Sequence, residues 1–186
     1  NTLILSLTLI NLALVSFFGF IGWIYAKWGK RSGFIGNLIV GISYSIGLIY
    51  GGYLNSPIIP SYILFFFLTA FSLLVAREII KGCEDIEGDK IQGVKTLAIK
   101  IGIKASRTIS VVFAFSAILF FILPIFTNIL NKFLFIIFMV IGLIEVGYTI
   151  LLMLTSDLKK EDLKKISLLL KIGMLLGLIA FLFASL

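Results

Sequence analysis

The chain has 186 residues, 60% of them hydrophobic, a net charge of +7 and a mean hydropathy of +1.17. That composition is far more apolar than a soluble domain carries, and runs such as 3–26 hold no charged residue at all, so the polar stripe of a water-facing helical bundle is missing. A single cysteine, Cys83, excludes an internal disulfide framework. The absence of histidine removes the commonest zinc ligand and general base, leaving hard, oxygen-bound metals as the ones to expect.

In chain order, apolar segments fall at about 3–26, 35–54, 61–79, 107–126, 133–154 and 166–186. Each approaches the roughly 20 residues that an α-helix needs to cross a bilayer, and open sheets cannot cross lipid. The expected fold is therefore all-α, a polytopic transmembrane helical bundle with six spans. Asn55-Ser56-Pro57 and Pro60 separate the second and third spans, and Pro124, Thr127 and Asn128 close the fourth. The segment that starts at Asn1 lacks the charged n-region and cleavage site of a signal peptide. No heptads, low-complexity tract or internal repeat interrupts the pattern, so one transmembrane domain over 1–186 is the simplest organisation.

Lysine and arginine give the orientation. Lys27, Lys30 and Arg31 occupy the first connection, seven cations from Arg77 to Arg107 the third, and Lys159, Lys160, Lys164 and Lys165 the fifth, with Lys171 just beyond. Only Lys132, one of the 16, falls on the other side. The positive-inside rule puts both termini outside and the charged connections in the cytoplasm.

The third connection, 80–106, is the longest, a length that is usually functional or disordered. Gly82, Gly88, Gly93 and Gly102 mark turns or helix ends, so helix three should continue briefly past Arg77 into a short cap. Glu78, Lys81, Asp85 and Asp89 recur at helical spacing and share one face. Asp85 and Asp89 alone form an i, i+4 carboxylate pair that needs a cation or a proton between its members. Mg2+ binds one or two carboxylates and fills its shell with water and phosphate oxygens, and Lys81, Lys90 and Lys95 are at hand as counter-charge. Two blander readings stay open on pattern alone. One is a solvated charged loop obeying the orientation rule; the other is a calcium loop, against which the misplaced glycine and missing distal glutamate argue. Glu145 is a lone carboxylate in mid-span, which is a substrate contact or an interhelical hydrogen bond.

Residues 77–98, REIIKGCEDIEGDKIQGVKTLA, resemble the second aspartate-rich motif of the UbiA superfamily of intramembrane prenyltransferases, and its lipid-forming archaeal branch above all. The likeness is carried by Arg77, Glu78, Lys81, Glu84, Asp85, Gly88, Asp89, Gly93, Thr96 and Leu97, with departures at Gly82 (usually aspartate) and Ala98 (usually proline). Residues 25–37, YAKWGKRSGFIGN, are similar to the family's tyrosine-lysine stretch between its fourth and fifth helices. The resemblance implies Asp85 and Asp89 as metal ligands for Mg2+, and Lys30, Lys81 and Tyr25 as catalytic groups toward the diphosphate. Lys27, Asn37 (a phosphate contact or a helix cap), Arg77 and Lys95 are the substrate-binding candidates, and Glu145 joins them from its mid-span position rather than from the resemblance. Tyr25 is one residue off the usual spacing, and Lys27 is the alternative to Lys30.

The implied fold has nine helices, and the six segments align with helices 4–9. The family's first aspartate motif has no counterpart, since no acidic residue precedes Glu78. The chain is therefore expected to be the C-terminal two-thirds of such an enzyme, with the first three helices lost, lying outside this sequence or supplied separately, and incompetent alone; a true divergent protein is the alternative. The implied reaction is Mg-dependent transfer of a geranylgeranyl group from its diphosphate to geranylgeranylglyceryl phosphate, in archaeal ether-lipid synthesis at the cell membrane. Alternatives are an aromatic acceptor (a quinone or haem precursor), or a non-enzymatic transporter or assembly subunit. The partners implied are an isoprenyl diphosphate, a lipid acceptor and membrane lipid; nucleic acid is not among them.

Overall fold

The computed structural model describes residues 2–29, 32–55, 58–155 and 158–185, with side chains from Leu9 onward except those of residues 10, 26, 28 and 55. Its helices are α1 (Thr2–Trp28), α2 (Phe34–Asn55), α3 (Ser61–Glu84), α4 (Ile86–Ile91), α5 (Leu97–Ile122), α6 (Lys132–Leu154) and α7 (Lys160–Ser185). A 3-10 turn (Leu123–Phe126) follows α5, and no strand occurs among the described residues. Each of the six apolar segments coincides with a long helix. Five of these are long and apolar enough to cross a membrane; in α1 the qualifying run among the described residues is the shorter Asn11–Tyr25.

Local chemistry sets the boundaries. Pro60, extended at φ −59° and ψ 141°, leads into α3. Pro124 sits in the 3-10 turn, whose end Thr127 ties off by donating its hydroxyl to the Pro124 carbonyl at 2.8 Å. The Asn131 side chain accepts from Leu134 N at 3.2 Å and caps α6. Gly102, at φ 85° and ψ 162°, breaks α5, so that Leu97–Ile101 form a separate first stretch and the apolar run begins after it. Much of the connection expected at 80–106 is thus helical: the end of α3, α4 and the start of α5.

The α3 helix is central and packs on α2, α5 and α7. Its buried positions Ile63, Phe66, Leu73, Ala76, Ile80 and Cys83 recur every three or four residues, with Thr69 among them. Lipid supplies no hydrophobic drive between helices, so close approach depends on small side chains and hydrogen bonds. Ser110 of α5 donates to the Ala76 carbonyl of α3 at 2.8 Å. A Cβ on Gly41 of α2 would lie 2.7 Å from Val75 Cγ2 of α3. At one end of the bundle Phe66 meets Phe121, Phe135 and Phe181 edge-on, with ring centroids 5.0–6.1 Å apart. This dry plug lies about 22 Å along α3 from the charged end.

Candidate active site

The charged end of α3 opens on a cavity of about 150 Å³. Glu78, Lys81, Asp85 and Asp89 all line it, so the face read from their spacing is realised even though α3 ends at Glu84. The hydrogen-bond ladder explains this. Asp85 N donates to Lys81 O at 3.0 Å and Asp89 N to Asp85 O at 2.9 Å, carrying the helical repeat through the break into α4. Asp85 is exposed and Asp89 half-buried, one turn apart on the same wall.

The opposite wall is the α1–α2 connection. Tyr25, Gly29, Gly33, Gly36 and Asn37 line it. Gly33 adopts φ +66°, and a Cβ there would also lie 2.7 Å from the Lys95 carbonyl, so glycine is required on both counts. A Cβ on Gly36 would overlap the Gly29 carbonyl. Gly36 and Asn37, in the first turn of α2, line the cavity, so it lies beside the positive dipole end of that helix, which suits an anion.

A third segment closes the site. Val94, Thr96 and Leu97 line it, and Thr96 Oγ1 is buried with no hydrogen-bond partner among the described residues. An orphan hydroxyl on a residue that lines a polar hollow is a candidate partner for a ligand oxygen. Sequence reasoning gave Thr96 no role beyond a motif match.

The sequence-derived residues separate into groups. Tyr25, Asn37, Lys81, Asp85 and Asp89 share the cavity. Lys30 lies outside the described residues. Lys27 stands over the Trp23 ring, Nζ 4.9 Å from its centroid, and Lys95 is exposed, contributing its carbonyl beside Gly33. Arg77 pairs with Glu78 at 2.8 Å and lines a neighbouring hollow. Glu145 is elsewhere, in α6 against α7. It accepts from Thr149 Oγ1 at 3.2 Å, and its Oε2 is buried without a partner among the described residues.

The donors suit a hard divalent ion in the company of a phosphate. Two carboxylates one turn apart meet magnesium's usual protein contribution, with water and substrate oxygens completing the shell. No group of three or more candidate metal-ligating side chains occurs among the described residues, so a closed all-protein metal cage is not present there. Gly82 lines the cavity where the related motif has aspartate, and a Cβ on it would make only ordinary contact with Thr96.

The model of the UbiA prenyltransferase family matches residues 2–184. The chain belongs to this family. UbiA relatives include the digeranylgeranylglyceryl phosphate synthase of Saccharolobus solfataricus, 35% identical over 100% of this chain and 64% of that protein. The enzyme of the same name from Korarchaeum cryptofilum is 29% identical over 96% of this chain and 66% of its own length. A solved structure concerning digeranylgeranylglyceryl phosphate synthase in membranes superposes with a TM-score of 0.81 at 31% identity, covering 93% of this chain and 60% of the other. The chain thus spans a little under two-thirds of the length of these UbiA relatives. Its apolar helices and its family together make it a multi-pass membrane protein.

Proposed function

We propose that the protein contributes the diphosphate-binding half of an archaeal ether-lipid prenyltransferase. The reaction would move a geranylgeranyl group from its diphosphate to geranylgeranylglyceryl phosphate. The observation that carries this reading is the convergence of Asp85, Asp89, Lys81, Asn37 and Tyr25 on one cavity at the charged end of an apolar bundle. The acceptor is taken from the names of the relatives; an aromatic acceptor is the alternative within the family.

Each residue has a task set by its chemistry. Asp85 and Asp89 would hold Mg2+, which when bound neutralises charge on the diphosphate leaving group. Lys81 would donate to phosphate oxygens, with the positive end of α2 and Thr96 beside them. Tyr25 places a phenol at the junction of this cavity with the neighbouring hollow. Water must be kept from an allylic cation, and the apolar helices beneath the cavity serve that end. The cavity lies at the end that the positive-inside rule assigns to the cytoplasm, and the whole of 1–186 is read as one transmembrane unit.

The test is transfer of radiolabelled geranylgeranyl diphosphate in membranes holding the full-length protein, with Mg2+ and each candidate acceptor. Product should form with geranylgeranylglyceryl phosphate and fall by about 10²-fold or more in Asp85→Ala and Asp89→Ala. Product formation that survives both substitutions would overturn the site.

A further inference from the structure

Three hollows lie side by side along the charged end of α3. The Asp85/Asp89 cavity shares Tyr25, Glu78 and Lys81 with an inner hollow of about 410 Å³. That hollow in turn shares Arg77, Lys81 and Lys171 with an outer groove of about 530 Å³ between α3 and α7. Lys81 lines all three. The outer groove carries five cations, Arg77, Lys81, Lys164, Lys165 and Lys171, against two carboxylates, Glu84 and Glu161.

Lys171 is the unusual member. It follows Lys160, the first residue of α7, by eleven positions, about 16 Å along the helix, inside a segment apolar enough to cross a membrane. A charge at that depth faces a partner or a polar hollow, or snorkels to the interface. Here it lines both hollows together with Arg77 and Lys81. Arg77 Nη1 is held by Glu78 at 2.8 Å, while its Nε is buried with no partner among the described residues. Like charges gathered in this way call for an anion, and a guanidinium beside two lysines suits a phosphate.

We infer that Arg77, Lys81 and Lys171 form a second anion site, which takes the phosphate monoester of the lipid acceptor beside the diphosphate cavity. The site presupposes the proposed phosphate-bearing acceptor. No carboxylate pair or metal is needed, because the cations meet the phosphate directly, and a monoester carries about 1.5 to 2 negative charges at pH 7. The inner hollow continues from it, lined by Val40, Tyr44, Leu74 and Met174 for an apolar chain, and reaches Tyr25 and Glu78 at the border of the first cavity. A glyceryl phosphate anchored at Lys171 would therefore sit in a hollow that borders the diphosphate cavity at Tyr25, Glu78 and Lys81.

The experiment uses the full-length protein in nanodiscs of zwitterionic lipid. Binding of labelled geranylgeranylglyceryl phosphate and of the corresponding phosphate-free alcohol is measured without Mg2+ or diphosphate, and KM for each substrate is measured in the complete reaction. Wild type should bind the phosphate lipid at least about tenfold more tightly than the alcohol. Arg77→Gln and Lys171→Ala should lose most of that preference. Their acceptor KM should rise by about tenfold with the diphosphate KM within about twofold, and Lys132→Ala at the other end should match wild type. Lys171→Arg should retain the preference. Unchanged acceptor binding and KM in the variants of an active enzyme would overturn the anion site and leave the proposed function standing. Phosphate-dependent binding with product formed only on aromatic acceptors would overturn the proposed function and, with it, the acceptor assignment of this anion site. Competition by inorganic phosphate without the lipid moiety, or by phosphatidylglycerol at equal concentration, would mark a general anion patch and overturn the acceptor assignment.

Discussion

Thr96 states the residue-scale case most sharply. The residue lines the Asp85/Asp89 cavity, and its Oγ1 is buried with no partner among the described residues. An unsatisfied buried hydroxyl costs about 1–3 kcal/mol, and a diphosphate oxygen would repay it. Thr96→Val should raise the diphosphate KM by about tenfold, while Thr96→Ser stays near wild type; steady-state kinetics with varied diphosphate distinguish them. Gly33→Ala probes the facing wall. The positive φ and the 2.7 Å approach to the Lys95 carbonyl together should cost about 2–3 kcal/mol, read as a lowered Tm and a weakened diphosphate affinity. Spacing in the sequence was enough to put Glu78, Lys81, Asp85 and Asp89 on one face, because helical periodicity is local and the ladder survives the break at Asp85. Spacing could not reveal Thr96 or Lys171. Their importance comes from contacts between segments remote in the chain, which no period of 3.6 residues encodes.

At the scale of helices, small residues decide where elements meet. The α6–α7 contact shows it. A Cβ on Gly173 would lie 2.5 Å from Glu145 Oε2 and 2.8 Å from Val146 Cγ2, so the carboxylate packs where only glycine leaves room. This favours the interhelical reading of Glu145 over the substrate contact, since it lies apart from the charged cavity. Gly173→Ala should push α6 and α7 apart and destabilise the protein by about 1–3 kcal/mol, seen as a lower Tm in detergent. Glu145→Gln, nearly the same shape, should retain transfer activity within about threefold and leave the diphosphate KM unchanged. A loss of activity with intact Tm in Glu145→Gln would return the residue to the substrate site. Hydropathy delimited these helices well, because lipid imposes length and apolarity on any span. It could not place the start of α5, where the chain is already helical before the glycine break at Gly102.

For the molecule as a whole, charge asymmetry and cavity position must agree. All cations but Lys132 belong to the connections that the positive-inside rule assigns to the cytoplasm or lie close to them, and the Asp85/Asp89 cavity sits at that same end. A soluble, charged diphosphate would then enter from the cytoplasm, while its prenyl chain and the lipid acceptor come from the bilayer. Cys83, the single cysteine, is buried at 2% exposure, so in any part of the protein free of other cysteines it serves as a silent background for labelling. Lys90→Cys places a thiol on exposed α4, and Lys132→Cys places one at the opposite end of the bundle. A membrane-impermeant maleimide should label Lys90→Cys only in inside-out vesicles and Lys132→Cys only in right-side-out cells, with the parent unlabelled in both. The reverse pattern would put the cavity on the outer face, where cytoplasmic prenyl diphosphate cannot reach it, and would remove the physical basis for a transferase at this site.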